Sequence, residues 1–534
     1  MTKGYGDVSD LEQGPTSHEP GDLPSAPGEA FVLAPVEILS SEGGVLQPAP
    51  RRRRTGLIAG IATVAVLAMA AGSLAAWSAL SGGGAQPEDV LPASTIAFAK
   101  VDLDPSAGQK IQLYNLLQKF PASSQLKDTD KDFGQWLVRR LTESAATSNG
   151  VDFARDIEPW LGRRFAVAAV PGPSSDEPVE PLVILQETDE KAAAAALDKI
   201  RKADGADKLD YAFQDGYVVV ATSSSTAAHA AVAAALQAPL GKDTRFVDDV
   251  ASLQSDQVVT AWADAGAVGR LVKAEAGKLD AVPGGQLGQL VDATYQGRWV
   301  LGIHAADSTV EMVVNTRGGK PSAAVAPVSG VAHVAPDAWG VLAIGGMDQR
   351  VDDLWKQVSA LPTYKDMVAK ATDQLGLDLP GDLKTLLGSE LELSIGGNVQ
   401  DSPAFVAAAT SKDAATAAAA KARLAAILDS AGAPPDLLAA RVDGSTLYVG
   451  SSQDAVDGAG DGKLAANPLF AQAVADPGSA EVLAFFDLSG VWKSLESGVL
   501  DGSANKEFEH LAAVGFSGRH SGGDSSFTLR IVLR

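Results

Sequence analysis

Apolar positions along this chain follow two periods, and each predicts its own element. Phe165 to Val170, Leu182 to Leu185 and Tyr217 to Ala221 are short apolar runs ended by Pro, acid or Ser clusters, which reads as buried strands. Val310, Met312 and Val314, set against Glu311 and Asn315, predict a strand with one wet face. Leu113, Leu116, Leu117 and Phe120 repeat at helical spacing and stop at Pro121, and Phe133, Trp136, Leu137 and Leu141 do the same between Lys131 and Glu143. Lys191 to Ile200 and Asp413 to Leu428 are Ala-rich and read as helices. Together these elements predict an α+β class, a mostly antiparallel sheet backed by helices.

One stretch obeys neither period. From Leu57 to Leu80 there are 24 consecutive residues without a charge, enough at about 1.5 Å per helical residue to cross a hydrocarbon core of about 30 Å. Arg51, Arg52, Arg53 and Arg54 stand immediately before it, and Gly82 to Asp89 carry no base. The basic flank stays in the cytoplasm, so the expectation is a signal-anchor: residues 55–81 are a transmembrane helix, the N-terminus is inside and everything after Ser81 is extracytoplasmic. A cleaved signal peptide is the rival, but the apolar run is about twice the usual h-region of 7–15 residues and fifty residues precede the arginines. Gly56 and Gly60 fit a small-xxx-small spacing that permits helix packing.

Ahead of the span, residues 1–54 are Gly, Pro, Ser and acid with few large apolar side chains, a composition that does not offset chain entropy and predicts a disordered cytoplasmic tail. The apolar patch from Phe31 to Leu39 interrupts it and has the form of a short docking motif. Beyond the span the chain is too long for one core, and the net charge of −23 lies mostly there. So acidic a surface repels nucleic acid at long range, which excludes that partner class. With no cysteine in 534 residues, no disulfide and no thiolate enters the account.

The outer region repeats itself. Gly150-Val151-Asp152-Phe153, Asp156-Ile157 and Leu161-Gly162 recur as Gly376-Leu377-Asp378-Leu379, Asp382-Leu383 and Leu387-Gly388, all at a spacing of 226 residues. Asp215-Gly216 before an apolar run matches Asp443-Gly444, and Ala261-Trp262-Ala263-Asp264 matches Ala484-Phe485-Phe486-Asp487. Two tandem homologous α+β units follow, residues 82–320 and 330–534, whose sheets pack into one body because apolar helices of a single unit would otherwise stay exposed. Gln86-Pro87-Glu88-Asp89-Val90-Leu91-Pro92-Ala93, then Val101-Asp102-Leu103-Asp104-Pro105-Ser106, and Pro159-Trp160-Leu161-Gly162-Arg163-Arg164 resemble the actinobacterial domain-of-unknown-function family 3352. The resemblance implies a membrane-anchored protein without assigned activity, and it carries over no functional residue.

Candidate chemistry is sparse. No His pair has metal-ligand spacing, no G-x-S-x-G elbow or phosphate loop occurs, and Gly458 to Lys463 lacks the Ser or Thr that a phosphate loop needs. No catalytic residue, cofactor or metal is therefore assigned. Four acids remain as polar candidates. Asp102 and Asp104, with Ser106 and Gly108, have the oxygen spacing that opens a calcium loop, but Ala107 and Leu113 stand where such a loop needs Gly and Glu. A strand end and helix cap explain them better. Asp264 and Asp487 each close an apolar strand before a helix of small residues, where an N-cap is the expected work. The expected function is a single-pass cell-envelope protein, held by one helix in the lipid bilayer, whose extracytoplasmic part binds or scaffolds an unknown partner. The alternative is a carboxylate-dependent envelope hydrolase or transferase.

Overall fold

The computed structural model describes residues 84–102, 153–175, 177–203, 209–254, 256–276, 294–306, 308–359, 377–397, 403–434, 437–459, 464–489 and 510–534, with isolated positions between. Residues 55–81, the arginines before them, Asp104 and the helices expected near Leu113 and Trp136 lie outside the described residues. Among the described residues no helix is long and apolar enough to cross a membrane.

The strands are β1 (Ala97–Asp102), β2 (Leu161–Pro171), β3 (Val179–Glu187), β4 (Asp210–Gln214), β5 (Tyr217–Ala221), β6 (Val259–Asp264), β7 (Arg298–Ala306) and β8 (Thr309–Arg317), followed by β9 (Gly340–Gly345), β10 (Glu390–Gly396), β11 (Ala404–Thr410), β12 (Ala439–Asp443), β13 (Thr446–Gly450), β14 (Val482–Asp487), β15 (Leu511–Ser521) and β16 (Asp524–Leu533). The helices are α1 (Glu190–Ala203), α2 (Ala227–Gln237), α3 (Thr244–Ala251), α4 (Ala265–Ala276), α5 (Met347–Ser359), α6 (Gly381–Leu387), α7 (Ala414–Ser430), α8 (Gln453–Gly458) and α9 (Pro468–Ala473). The fold is α+β around one large antiparallel sheet. Among the described residues the sheet has 16 strands, and outward from its middle the order is β8-β7-β6-β1-β2-β3-β5-β4 on one side and β16-β15-β14-β9-β10-β11-β13-β12 on the other.

The sheets of the two expected units do not pack face against face. They join edge to edge, Phe527 lying opposite Val314 and Leu529 opposite Met312 in an antiparallel β16–β8 ladder. This seam satisfies the backbone groups of two strands that would otherwise be open edges. Turn chemistry sets the outer hairpins. Between β4 and β5 stand Asp215 and Gly216 with φ of 51° and 79°, the positive pair that a two-residue hairpin of matching twist requires and that Asp-Gly supplies at low cost.

The first half of the sheet is covered on both faces. On one face of the first half, Phe98, Ile184, Val219, Trp262 and Val300 pack with Val90, Leu91, α2 and α3. The other face meets α1 and Trp160 through Val218 and Val220, and α4 through Ala169 and Val179. In the second half Val341, Ala343, Leu483 and Phe485 pack beneath Phe470 and Ala473 of α9, where the Phe470 and Phe485 rings meet edge to face at 5.3 Å. Burying a side chain of that size stabilises by about 2–3 kcal/mol.

The Leu-Gly pairs do not hold identical places. Gly162 lies within β2, which a register shift between Leu161 and Phe165 extends at its start, whereas Gly388 sits in the turn between α6 and β10 at φ +66°. Both are nonetheless pressed against the neighbouring strand, since a Cβ at Gly162 would strike the Gln186 side chain and one at Gly388 the Thr410 backbone.

Candidate functional site

Asp102 ends β1 opposite Arg164 of β2, and the Arg164 Nε donates to its Oδ2 at 3.1 Å. Beside this pair the Lys100 Nζ reaches Glu88 Oε1 at 2.6 Å and Gln86 Oε1 at 3.3 Å. Arg164 and Glu88 are buried. The Tyr217 hydroxyl donates to the Ala85 carbonyl at 2.9 Å, and burial pushes that phenol well above its ordinary range. Ions taken out of water need partners, and here each sign is matched within the cluster. Its visible result is that residues 85–88 are held onto the sheet.

Asp264 and Asp487 stand at strand ends. Asp264 Oδ1 accepts the Ala267 N–H at 2.8 Å, one of the free donors in the first turn of α4. Asp487 Oδ1 accepts the Ser489 N–H at 2.8 Å. Neither meets the other: β6 and β14 are five strand steps apart, about 24 Å at about 4.8 Å per step, and an odd number of antiparallel steps reverses direction, so the two acids, each the last residue of its strand, sit at opposite ends of the sheet. Asp102 is separated from Asp264 as well. Along the β1–β6 ladder the Asp102 N–H donates to Val258 O at 2.9 Å, while the Asp264 N–H donates to Ile96 O at the far end, also at 2.9 Å. Asp102, Asp264 and Asp487 thus do not share a cleft.

Three further polar clusters were not singled out by the sequence. Asp249 on α3, 1% exposed, accepts from Trp262 Nε1 at 2.9 Å and from Arg298 through Nε at 2.6 Å and Nη2 at 3.0 Å. Glu392 on β10, also 1% exposed, accepts the Ser329 hydroxyl at 2.8 Å and the His333 N–H at 3.0 Å. Burial pushes its carboxyl up to about 7, the Ser329 and His333 hydrogen bonds oppose the rise, and Glu390 adds to it. His333 Nδ1 meets the Tyr448 hydroxyl at 2.8 Å, and burial holds the imidazole below its usual value. The third cluster lies beside the start of β4. Asp210 accepts the His229 N–H at 3.0 Å and meets His229 Nδ1 at 2.8 Å, leaving an imidazole whose side chain is 68% exposed. Next to it the Ser223 hydroxyl bonds buried Glu180, whose carboxyl is raised by burial against the pull of Ser223, with Glu177 and Asp210 adding to the rise.

A signal existed for one of these. His229 is the only histidine in an Ala-rich run that otherwise reads as a buried helix. For Glu392 the signal pointed the wrong way, because Glu390-Leu391-Glu392-Leu393 alternates as a strand with a wet face does. The segment around Ser329 and His333 covers that face instead. Among the described residues no group of three His, Asp or Glu side chains is placed to hold a metal ion.

Residues 55–259 match the family described as protein of unknown function (DUF3352). The resemblance read from the Pro- and Asp-rich segments holds over that stretch. The DUF3352 match takes in β1 to β5 and ends on Val259, the first residue of β6, so it contains the Asp102–Arg164 and Asp210–His229 clusters and leaves Asp264, Glu392 and Asp487 outside. Curated proteins give no match. Two solved structures are similar in part: crystal form I of TP0453, at 11% identity and a TM-score of 0.22 over 46% of this chain and 82% of that one, and crystal form III, at 10% and 0.21 over 46% and 83%. A likeness at that score fixes neither fold nor function.

Proposed function

We propose that this is a single-pass cell-envelope protein, anchored through residues 55–81 with its tail in the cytoplasm, whose extracytoplasmic part is a non-enzymatic binding or scaffolding module. The observation that carries the second half of this reading is the separation of Asp102, Asp264 and Asp487, each engaged by an arginine or a backbone N–H and none facing another across a cleft. A pair of carboxylates working as acid and base needs a common substrate between them. The anchor rests on the uncharged run and the four arginines.

The module is built from two copies of one unit, residues 82–320 and 330–534. The strand order supports this, since each half runs through the same sequence of pairings outward from the seam. So does the register. Gly340 stands opposite Ile395 and Phe486 as Ala97 stands opposite Ala169 and Ala263.

The alternative, a carboxylate-dependent hydrolase or transferase, is favoured by one feature. Asp210 orients His229 in the first half, while its ladder counterpart in the second half, Ala439, has no carboxyl. Two experiments separate the readings. Single cysteines at Ser17 and Ser175, in a chain with none of its own, are exposed to an impermeant maleimide on intact cells; only Ser175→Cys reacts, and labelling of Ser17→Cys alone would reverse the orientation. The full chain is also assayed against muropeptides, glycans, phosphoesters and ester probes beside its Asp102→Asn, Asp264→Asn, Asp487→Asn and His229→Gln variants. Turnover that disappears in one variant while its melting stays unchanged defeats the non-enzymatic reading.

A further inference from the structure

The chain emerges into the described structure at a fixed place. Ala85 packs against the first-half core and its carbonyl takes the Tyr217 hydroxyl at 2.9 Å. Gln86 is tied through its N–H to Asp89 at 2.8 Å and through its side chain to Lys100 at 3.3 Å. Ser81, the last residue of the expected span, is four residues from Ala85. A chain extends at most about 3.6 Å per residue, so the end of a span closing at Ser81 stands no more than about 14 Å from this point on the sheet.

We propose that the end of the first-half strands at which Ala85 docks, where β3 runs out and β2 and β5 begin, faces the headgroup layer of the bilayer and stays close to it. The proposal rests on the anchor reading. Tyr217 begins β5 directly after the Asp215–Gly216 turn, and Gly84 lies near the Arg164 guanidinium at the start of β2. Glu187 ends β3 at the same end and leads through Asp189 to α1. The turn after β2, with Ser174 and Ser175, is at the opposite end. The nine residues of β3 separate the two ends, about 27 Å at the usual rise.

The chemistry of the near end suits headgroups rather than acyl chains. Its exposed side chains include Arg155, Arg163, Asp189, Glu190 and Asp215. Val183, the large exposed apolar side chain on β3, is in mid-strand. Charged groups of both signs stay hydrated at the bilayer surface, and inserting them costs several kcal/mol each. The contact is therefore a non-inserting one, imposed by the short tether.

The test uses the full chain in phosphatidylcholine vesicles, with a fluorophore on Glu190→Cys or on Ser175→Cys and lipid spin-labelled at the headgroup as quencher. Quenching several-fold stronger at position 190 than at 175 is the expected result, and a flexible Gly-Ser insertion of about 20 residues after Gly83, able to reach past the length of the strands, brings the two sites level. Equal quenching, or stronger quenching at 175, in vesicles that keep the protein through a carbonate wash overturns the orientation and leaves the anchor standing. A difference that survives the insertion overturns the role of the tether. Release of the protein by carbonate overturns the anchor, and the orientation with it.

Discussion

At Glu392 burial and hydrogen bonding work against each other, and the outcome is a pH dependence with a definite sign. The carboxyl titrates near 4.5 when solvated and is pushed up to about 7 when folded. The folded state thus holds the extra proton between these values, so stability is greatest below about 4.5 and falls as pH rises to 7, by roughly 3 kcal/mol at most. Glu392→Gln keeps an acceptor for the His333 N–H and replaces the ionisable oxygen. Its melting temperature is expected to equal the parent's at pH 4 and exceed it at pH 8; parallel melting profiles for the two proteins would contradict this account. Asp249 gives the opposite case, a buried carboxylate with full partners. Asp249→Ala leaves the Arg298 guanidinium without its bidentate acceptor, and chemical denaturation should show a loss of about 3–5 kcal/mol.

Helices and strands differ in how openly the chain announces them. Asp264→Ala removes the acceptor for the Ala267 N–H at the first turn of α4 and is expected to cost about 0.5–2 kcal/mol in denaturant unfolding, with Asp264→Asn costing less because an amide oxygen still caps. The cap was legible because its chemistry is local: Asp264 reaches three residues ahead. Ala-rich α1 and α7 were legible for the same reason, and run from Glu190 and Ala414 as their composition suggests. What the sequence hid depends on partners far along the chain. Glu392 is buried by Ser329 and His333, some sixty residues before it, and Arg164 meets Asp102 across 62 residues. Alternation reports which side chains share a face. It does not report whether a distant segment covers that face.

For the molecule as a whole the decisive contact is the β8–β16 seam. Arg317 Nη1 reaches Asp524 at 2.9 Å, and the Gly318 N–H donates to the same carboxylate at 2.8 Å. Arg530 pairs with Glu311 further along the ladder. With backbone and ion pairs both crossing it, the two halves are expected to unfold in one calorimetric transition. Thr528→Pro takes away a ladder donor in β16 and lacks any bulge to accommodate the ring; it should split the transition in two or lower it as a whole, and an unchanged single peak would show that the halves are coupled elsewhere. Repetition of motifs suggested two units, yet it contained no sign of an edge-to-edge joint, because nothing in a copied unit specifies which of its surfaces meets its twin. The joint also imposes an order in time. β8 is made by residue 317, but its partner begins at residue 524 and closes with the last residues of the chain. During synthesis the first half therefore waits with an open strand edge, a site where wrong chains pair. Removing residues 524–534 makes that waiting state permanent and bares β15 as well, so the truncated chain should aggregate on refolding under conditions in which the full chain returns to solution.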